Sequence, residues 1–170
     1  MQDYEYPRAL MLPDSVFTLR PVRMTDIDGL RCACWRDKSV SYCADRIRRM
    51  SQSQARKQGL GVVVEGDADC AVLAYGQIMR LAKRVEISDL IVAETHRSQG
   101  IGTAMIQYLI HEMRQMRQLT QIEIGVLVRN TRALTLYRRL GFVNSYQLSL
   151  RINKVRETVQ YLRLTIPADT

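Results

Sequence analysis

The sequence predicts one α/β (α+β) domain, a mixed and mostly antiparallel sheet flanked by helices. Two β-rich runs at 60–65 and 71–79 flank the turn-forming cluster Gly66-Asp67-Ala68-Asp69, which suits an antiparallel hairpin. Residues 83–128 read strand, helix, strand, and such a crossover places its two strands parallel. Two more strands at 142–150 and 158–166 follow one another closely, which favours antiparallel pairing. A chain of 170 residues suits a single domain, and 46% apolar residues suffice for its core.

In chain order, residues 1–15 read as an N-terminal arm and 16–166 as the folded domain. A short strand at 16–21 precedes Thr25-Asp26, a capping pair for a helix that carries Ile27, Leu30, Cys34 and Trp35. A second helix covers 41–57. In the run 83–93, Val85 and Ile87 share one face while Leu90 and Val92 fall on the other parity, so a β-bulge near 88–89 is expected. Met105, Ile106, Leu109, Met113 and Met116 then recur at helical spacing, and 121–128 is strand-like again. Asn130 can cap a helix through Leu140, which Gly141-Phe142 would stop with a left-handed turn and an apolar seal. A basic connection, 151–157, joins the last two strands.

Lysine plus arginine exceed aspartate plus glutamate by 25 to 17, a net charge of +8 that favours phosphate-rich or acidic partners. The basic residues are dispersed (Arg46, Arg48, Arg49; Arg138, Arg139; Arg151, Lys154, Arg156), which disfavours a nucleic-acid site. Cys32, Cys34, Cys43 and Cys70, with His96 and His111, show no structural-zinc spacing, so no metal is expected. The cysteines read as small buried free thiols. With no secretory leader pattern and no apolar run of membrane-spanning length, a cytoplasmic setting fits.

Chemistry concentrates in His96-Arg97-Ser98-Gln99-Gly100-Ile101-Gly102-Thr103-Ala104-Met105. Gly100 and Gly102 remove Cβ atoms where a strand turns into a helix, so phosphate oxygens can approach backbone N–H groups at the positive helix end. A triphosphate P-loop is excluded because no Gly-Lys pair occurs in the chain. A dinucleotide fingerprint fails because its third small residue falls at Met105, late in the chain.

These residues resemble the Gcn5-related N-acetyltransferases (GNAT), whose coenzyme A signature Arg/Gln-x-x-Gly-x-Gly/Ala reads here as Arg97-Ser98-Gln99-Gly100-Ile101-Gly102. Ile87-Ser88-Asp89-Leu90-Ile91-Val92 is similar to the family's fourth strand, and Asn130-x-x-Ala133-x-x-Leu136-Tyr137-x-x-Leu140-Gly141-Phe142 to its second signature. The resemblance implies a sheet splayed between strands four and five, with acetyl-CoA as co-substrate and its pantetheine arm along Ile91 and Val92. Backbone amides from Gln99 through Gly100, Ile101 and Gly102 to Thr103 would hold the pyrophosphate, with Arg97 beside it. Asn130 would touch the pantetheine, and Arg138 or Arg139 the 3′-phosphate.

Acetyl transfer to an amine requires a neutral amine and a proton for the departing thiolate. The resemblance makes Tyr137 the acid, although Ala133, Leu136, Tyr137 and Leu140 also form an apolar helical stripe. Glu86 and Asp89 are alternative bases, each also a strand charge that an arginine would pair. The resemblance also suggests a backbone N–H near Val92 for the carbonyl oxygen. It places the acceptor among the first helices and the last hairpin, near Trp35, Tyr42, Tyr146 and 151–157, and is compatible with a homodimer. The acceptor is a primary amine of a small molecule or of a protein or peptide. Two alternatives stay open, a non-catalytic coenzyme A sensor and a toxin-like transferase acting on aminoacyl-tRNA.

Overall fold

A computed structural model describes residues 8–12, 15–66, 72–82, 84–114, 120–152 and 154–167 of the chain. Eight strands form one sheet: β1 (Arg8–Leu12), β2 (Ser15–Pro21), β3 (Gly59–Glu65), β4 (Val72–Arg80), β5 (Val85–Val92), β6 (Gln121–Leu127), β7 (Val143–Ile152) and β8 (Val155–Thr165). Their spatial order is β1-β2-β3-β4-β5-β6-β8-β7, antiparallel throughout except for β5 and β6. The helices are α1 (Ile27–Ala33), α2 (Val40–Ala55), α3 (Ile101–Arg114) and α4 (Thr131–Arg139). The expected arm therefore contains a strand, with Arg8 opposite Leu19 on β2.

Strand alternation divides the core between the two faces of the sheet. Ile87, Ile122 and Ile124 pack with Met105, Ile106, Leu109 and Met113 of α3. These are the helical positions expected from spacing; Met116 lies outside the described residues. The opposite face packs Val63 and Tyr75 against Leu30, Trp35, Cys43, Ile47 and Met50 of the α1–α2 layer. Trp35, 7% exposed, meets Tyr75 edge-on at 5.1 Å between ring centroids.

Four local expectations need correction. The Asp26 carboxylate does not cap α1; it accepts from Arg20 at 2.7 and 2.8 Å and from the Arg23 N–H at 2.7 Å, because a buried guanidinium requires a paired anion. The last two strands are longer than expected. Pairs Arg151↔Arg156 and Ile152↔Val155 continue the ladder, so most of the basic connection lies within the strands, and Lys154 between them stands at φ +67°. Cys32 is disulfide-bonded, so it is not a free thiol; Cys34 and Cys43 are free, and Cys70 lies outside the described residues. Cys34 is only half-buried rather than fully enclosed. No helix among the described residues is long and apolar enough to cross a membrane.

Candidate active site

The site begins with a register change in β5. Tyr75 of β4 stands opposite Ile91 and Gln77 opposite Ser88, so Asp89 and Leu90 together face Gly76. This is the expected bulge, centred one residue later, with Asp89 at φ +54°. A Cβ on Gly76 would lie 2.8 Å from Leu90 Cδ1, so the glycine leaves room for the bulged strand. The extra residue returns Leu90 and Val92 to the α3 face beside Ile87, while Ile91 packs on the α1–α2 side.

Beyond the paired end, β5 and β6 separate. Their parallel ladder holds only Val85↔Ile122, Glu86↔Glu123 and Ile87↔Ile124, although both strands run on. This is the splay expected between strands four and five, counted without β1. The Ala93 N–H bonds the Leu73 carbonyl on β4 at 2.7 Å, so by alternation Val92 turns its peptide groups toward the splayed side. There its carbonyl accepts from Arg97 Nε at 3.2 Å.

Two recesses meet at this divide. A gap of about 210 Å³ between the strands is lined by Ser88, Asp89, Leu90, Gly125, Leu127, Asn130 and Tyr137, among others. A larger cleft of about 740 Å³ runs between the glycine elbow and α4, and Asn130 and Tyr137 line both. Ile91, Val92, Arg97, Gly100, Ile101, Gly102, Thr103, Asn130 and Tyr137 of the expected set line the cleft. Gln99 does not, and its Nε2 reaches back to the Thr95 carbonyl at 3.5 Å. Arg139 lines the cleft, whereas Arg138 donates to Asn144 Oδ1 at 3.3 Å.

The cleft suits a polyanion. Ser98 and Gly100 turn the elbow at φ +70° and +88°, and a Cβ on Gly102 would meet nothing closer than 3.9 Å. Arg97, Arg132 and Arg139 line it, with no carboxylate among its described walls. Arg132 was not anticipated from sequence. Its Nη2 donates to Ser98 Oγ at 2.5 Å, tying α4 to the elbow. A cation in a helix's first turn opposes the macrodipole, and that local misfit was its signal.

Tyr137 is 6% exposed, with Phe142 at 6.2 Å between ring centroids, and burial pushes its phenol up to about 12. It is both part of the apolar stripe and a wall of both recesses. Of the two carboxylates, Asp89 lines the gap and pairs with Arg46 of α2. Glu86 lies at the closed end, accepting from Arg84 Nε at 3.0 Å. Opposite it, the 3%-exposed Glu123 accepts from Tyr146 Oη at 3.0 Å and Arg163 Nη2 at 2.8 Å. Tyr146 also stacks on Tyr161 at 4.8 Å, so this expected acceptor residue stands beside Glu123 and is not among the gap's described walls. Tyr42 is 43% exposed and leans on Arg46. His96 lines the cleft and shares a 2.8 Å contact with Thr95 Oγ1; His111 is exposed on α3.

A bulged fifth strand, a parallel neighbour that splays from it and a glycine elbow opening a helix are the architecture of the GNAT fold. The acetyltransferase (GNAT) family model matches residues 25–142, and the chain belongs to that family. An N-alpha-acetyltransferase of Sulfurisphaera tokodaii is 33% identical over 66 residues, a stretch covering 39% of this chain and 40% of that relative. Among solved structures, RimJ of Mycobacterium smegmatis in complex with CoA-disulfide superposes with a TM-score of 0.78 at 20% identity, over 94% of this chain and 86% of that one. A phosphinothricin acetyltransferase from Sinorhizobium meliloti in complex with acetyl-CoA gives 0.72 at 17% identity, over 88% of each chain.

Proposed function

We propose that the protein is an acetyl-CoA-dependent N-acetyltransferase whose acceptor is an α-amino group, foremost that of a polypeptide N-terminus. The observation that carries this reading is that Tyr137 lines both the cation-lined cleft and the gap that holds Asp89. The N-alpha-acetyltransferase relative supports the acceptor class.

In this reading the elbow amides at Gly100, Ile101, Gly102 and Thr103 hold the pyrophosphate, with Arg97 and Arg132 flanking it and Arg139 at the 3′-phosphate. Gln99 contributes its backbone only. Val92 and Ile91 run beside the acyl arm, and the co-substrate supplies an activated thioester carbonyl at the gap. Asp89, directly or through one water, takes the proton from the incoming ammonium so that its nitrogen has a free lone pair. The Val92 N–H faces the charge that gathers on the carbonyl oxygen. As the C–N bond forms and the C–S bond breaks, Tyr137, still protonated at neutral pH, gives its proton to the departing thiolate, and the second proton lost from the acylated nitrogen restores the phenol. Glu86 is the weaker candidate base, since Arg84 holds it at the closed end of the strands.

Acetyl-CoA at about 100 times its Kd should stabilise the protein by about 2.7 kcal/mol in thermal unfolding, and adding an N-terminally free peptide should release thiol. Stabilisation without thiol release from any amine favours the coenzyme A sensor, and no stabilisation rejects both readings.

A further inference from the structure

The geometry points to the Arg46–Asp89 ion pair as the acceptor-recognition element of the gap, selecting amines that carry a carboxylate close to the nitrogen. This inference rests on reading the gap as the acceptor side of an N-acetyltransferase. Asp89 is the one carboxylate among the gap's described walls, and its partner Arg46 comes from α2, outside those walls. The two side chains keep 30% and 26% of their surface exposed, while the paired oxygen Asp89 Oδ2 is itself buried.

An ammonium that approaches Asp89 has to take the place of Arg46. The displaced guanidinium keeps a neighbour on its own helix. Tyr42, one helical turn earlier, accepts from Arg46 Nη1 at 3.3 Å, and its ring lies 5.8 Å from the guanidinium carbon. A half-buried cation deprived of its anion is costly unless a new anion arrives with the amine. An acceptor with adjacent positive and negative groups exchanges with both halves of the pair at once: its ammonium meets Asp89 and its carboxylate meets the planar fork of Arg46. A polyamine satisfies Asp89 but leaves Arg46 unpaired and repelled.

The neighbouring charges on this face do not compete for that role. Arg84 pairs with Glu86, and Arg163 with Glu123, at the closed end of the strands. Two acceptors share the required chemistry, a polypeptide with an acidic first residue and a free α-amino acid with its own carboxylate.

Both are tested by steady-state acetylation with saturating acetyl-CoA. Peptides that begin with Asp, Asn or Lys and are otherwise identical form one arm, and free α-amino acids against their amides form the other. In at least one arm kcat/KM should favour the carboxylate by about tenfold, mainly through KM, as a charge-assisted pair requires. Arg46→Gln should bring that ratio within about twofold of one, and Arg46→Lys should restore part of it, a point charge replacing a fork. The arm that shows the preference identifies the source of the carboxylate. Transfer without charge preference in either arm, or a preference that survives Arg46→Gln, overturns the inference alone. Absence of transfer to every amine overturns it together with the N-acetyltransferase reading.

Discussion

Burial pushes the Tyr137 phenol up to about 12, so in the proposed reaction the acid stays protonated well beyond neutral pH. Turnover should therefore show no alkaline decline from this group below about pH 10, the ordinary phenol value. Tyr137→Phe should lower kcat by about 100-fold while acetyl-CoA affinity stays within about twofold; unchanged kcat under chemistry-limited conditions removes the acid role. Stability carries the same sign. A folded-state pKa above the unfolded value contributes stability that is complete below about pH 10 and is lost as pH rises through the folded value. The fall in unfolding free energy above pH 10 should be shallower in the Phe variant. Sequence alone pointed to Tyr137 through its place in the second signature. It could not show that one ring closes two recesses, because that depends on how far β5 and β6 part.

Element boundaries were legible where a residue makes its own local bond. Asn130 Oδ1 accepts from the Ala133 N–H at 3.1 Å, and Gly141 at φ +91° lets the Phe142 N–H reach the Tyr137 carbonyl at 3.0 Å. The bulge was legible because the apolar parity changes within β5. What sequence missed are partners distant in the chain, such as Arg132 for Ser98 and which arginine would pair with Asp89, and the length of the last hairpin, where continued pairing outweighed a run of charge. Asn130 allows a separation of helix from site. Asn130→Ala should cost about 1 kcal/mol by denaturant unfolding through loss of the cap. Asn130→Asp should keep the cap, and with it the stability, yet weaken acetyl-CoA binding several-fold by adding a negative charge to the wall of a cleft that would hold a polyanion. Equal affinity in the Asp variant argues that Asn130 serves the helix alone.

On the scale of the whole molecule, one sheet separates an α3 and α4 face, with the cleft proposed for acetyl-CoA, from an α1 and α2 face on the side proposed for the acceptor. The bulge and splay of β5 open the passage between them. The far end of the sheet is held by Arg20, 7% exposed, which joins Asp26 to Glu65 and ties β2 to β3 and to the turn before α1. Asp26→Ala leaves that guanidinium buried with one partner fewer, and about 3–5 kcal/mol of stability should be lost in denaturant unfolding. A loss under about 1 kcal/mol would show that solvent reaches Arg20 readily. Sequence supplied the order of the elements and the family resemblance, but not this bond, since Asp26 read as a helix cap.

The most direct measurement is to incubate the protein with acetyl-CoA and a peptide that carries both a free N-terminus and an internal lysine, then locate the acetyl group by fragmentation mass spectrometry. The expected result is acetylation on the α-nitrogen, matched by released thiol and lost in Asp89→Asn. Acetyl on the lysine Nζ, or thiol release equal to that of buffer, contradicts the proposed function.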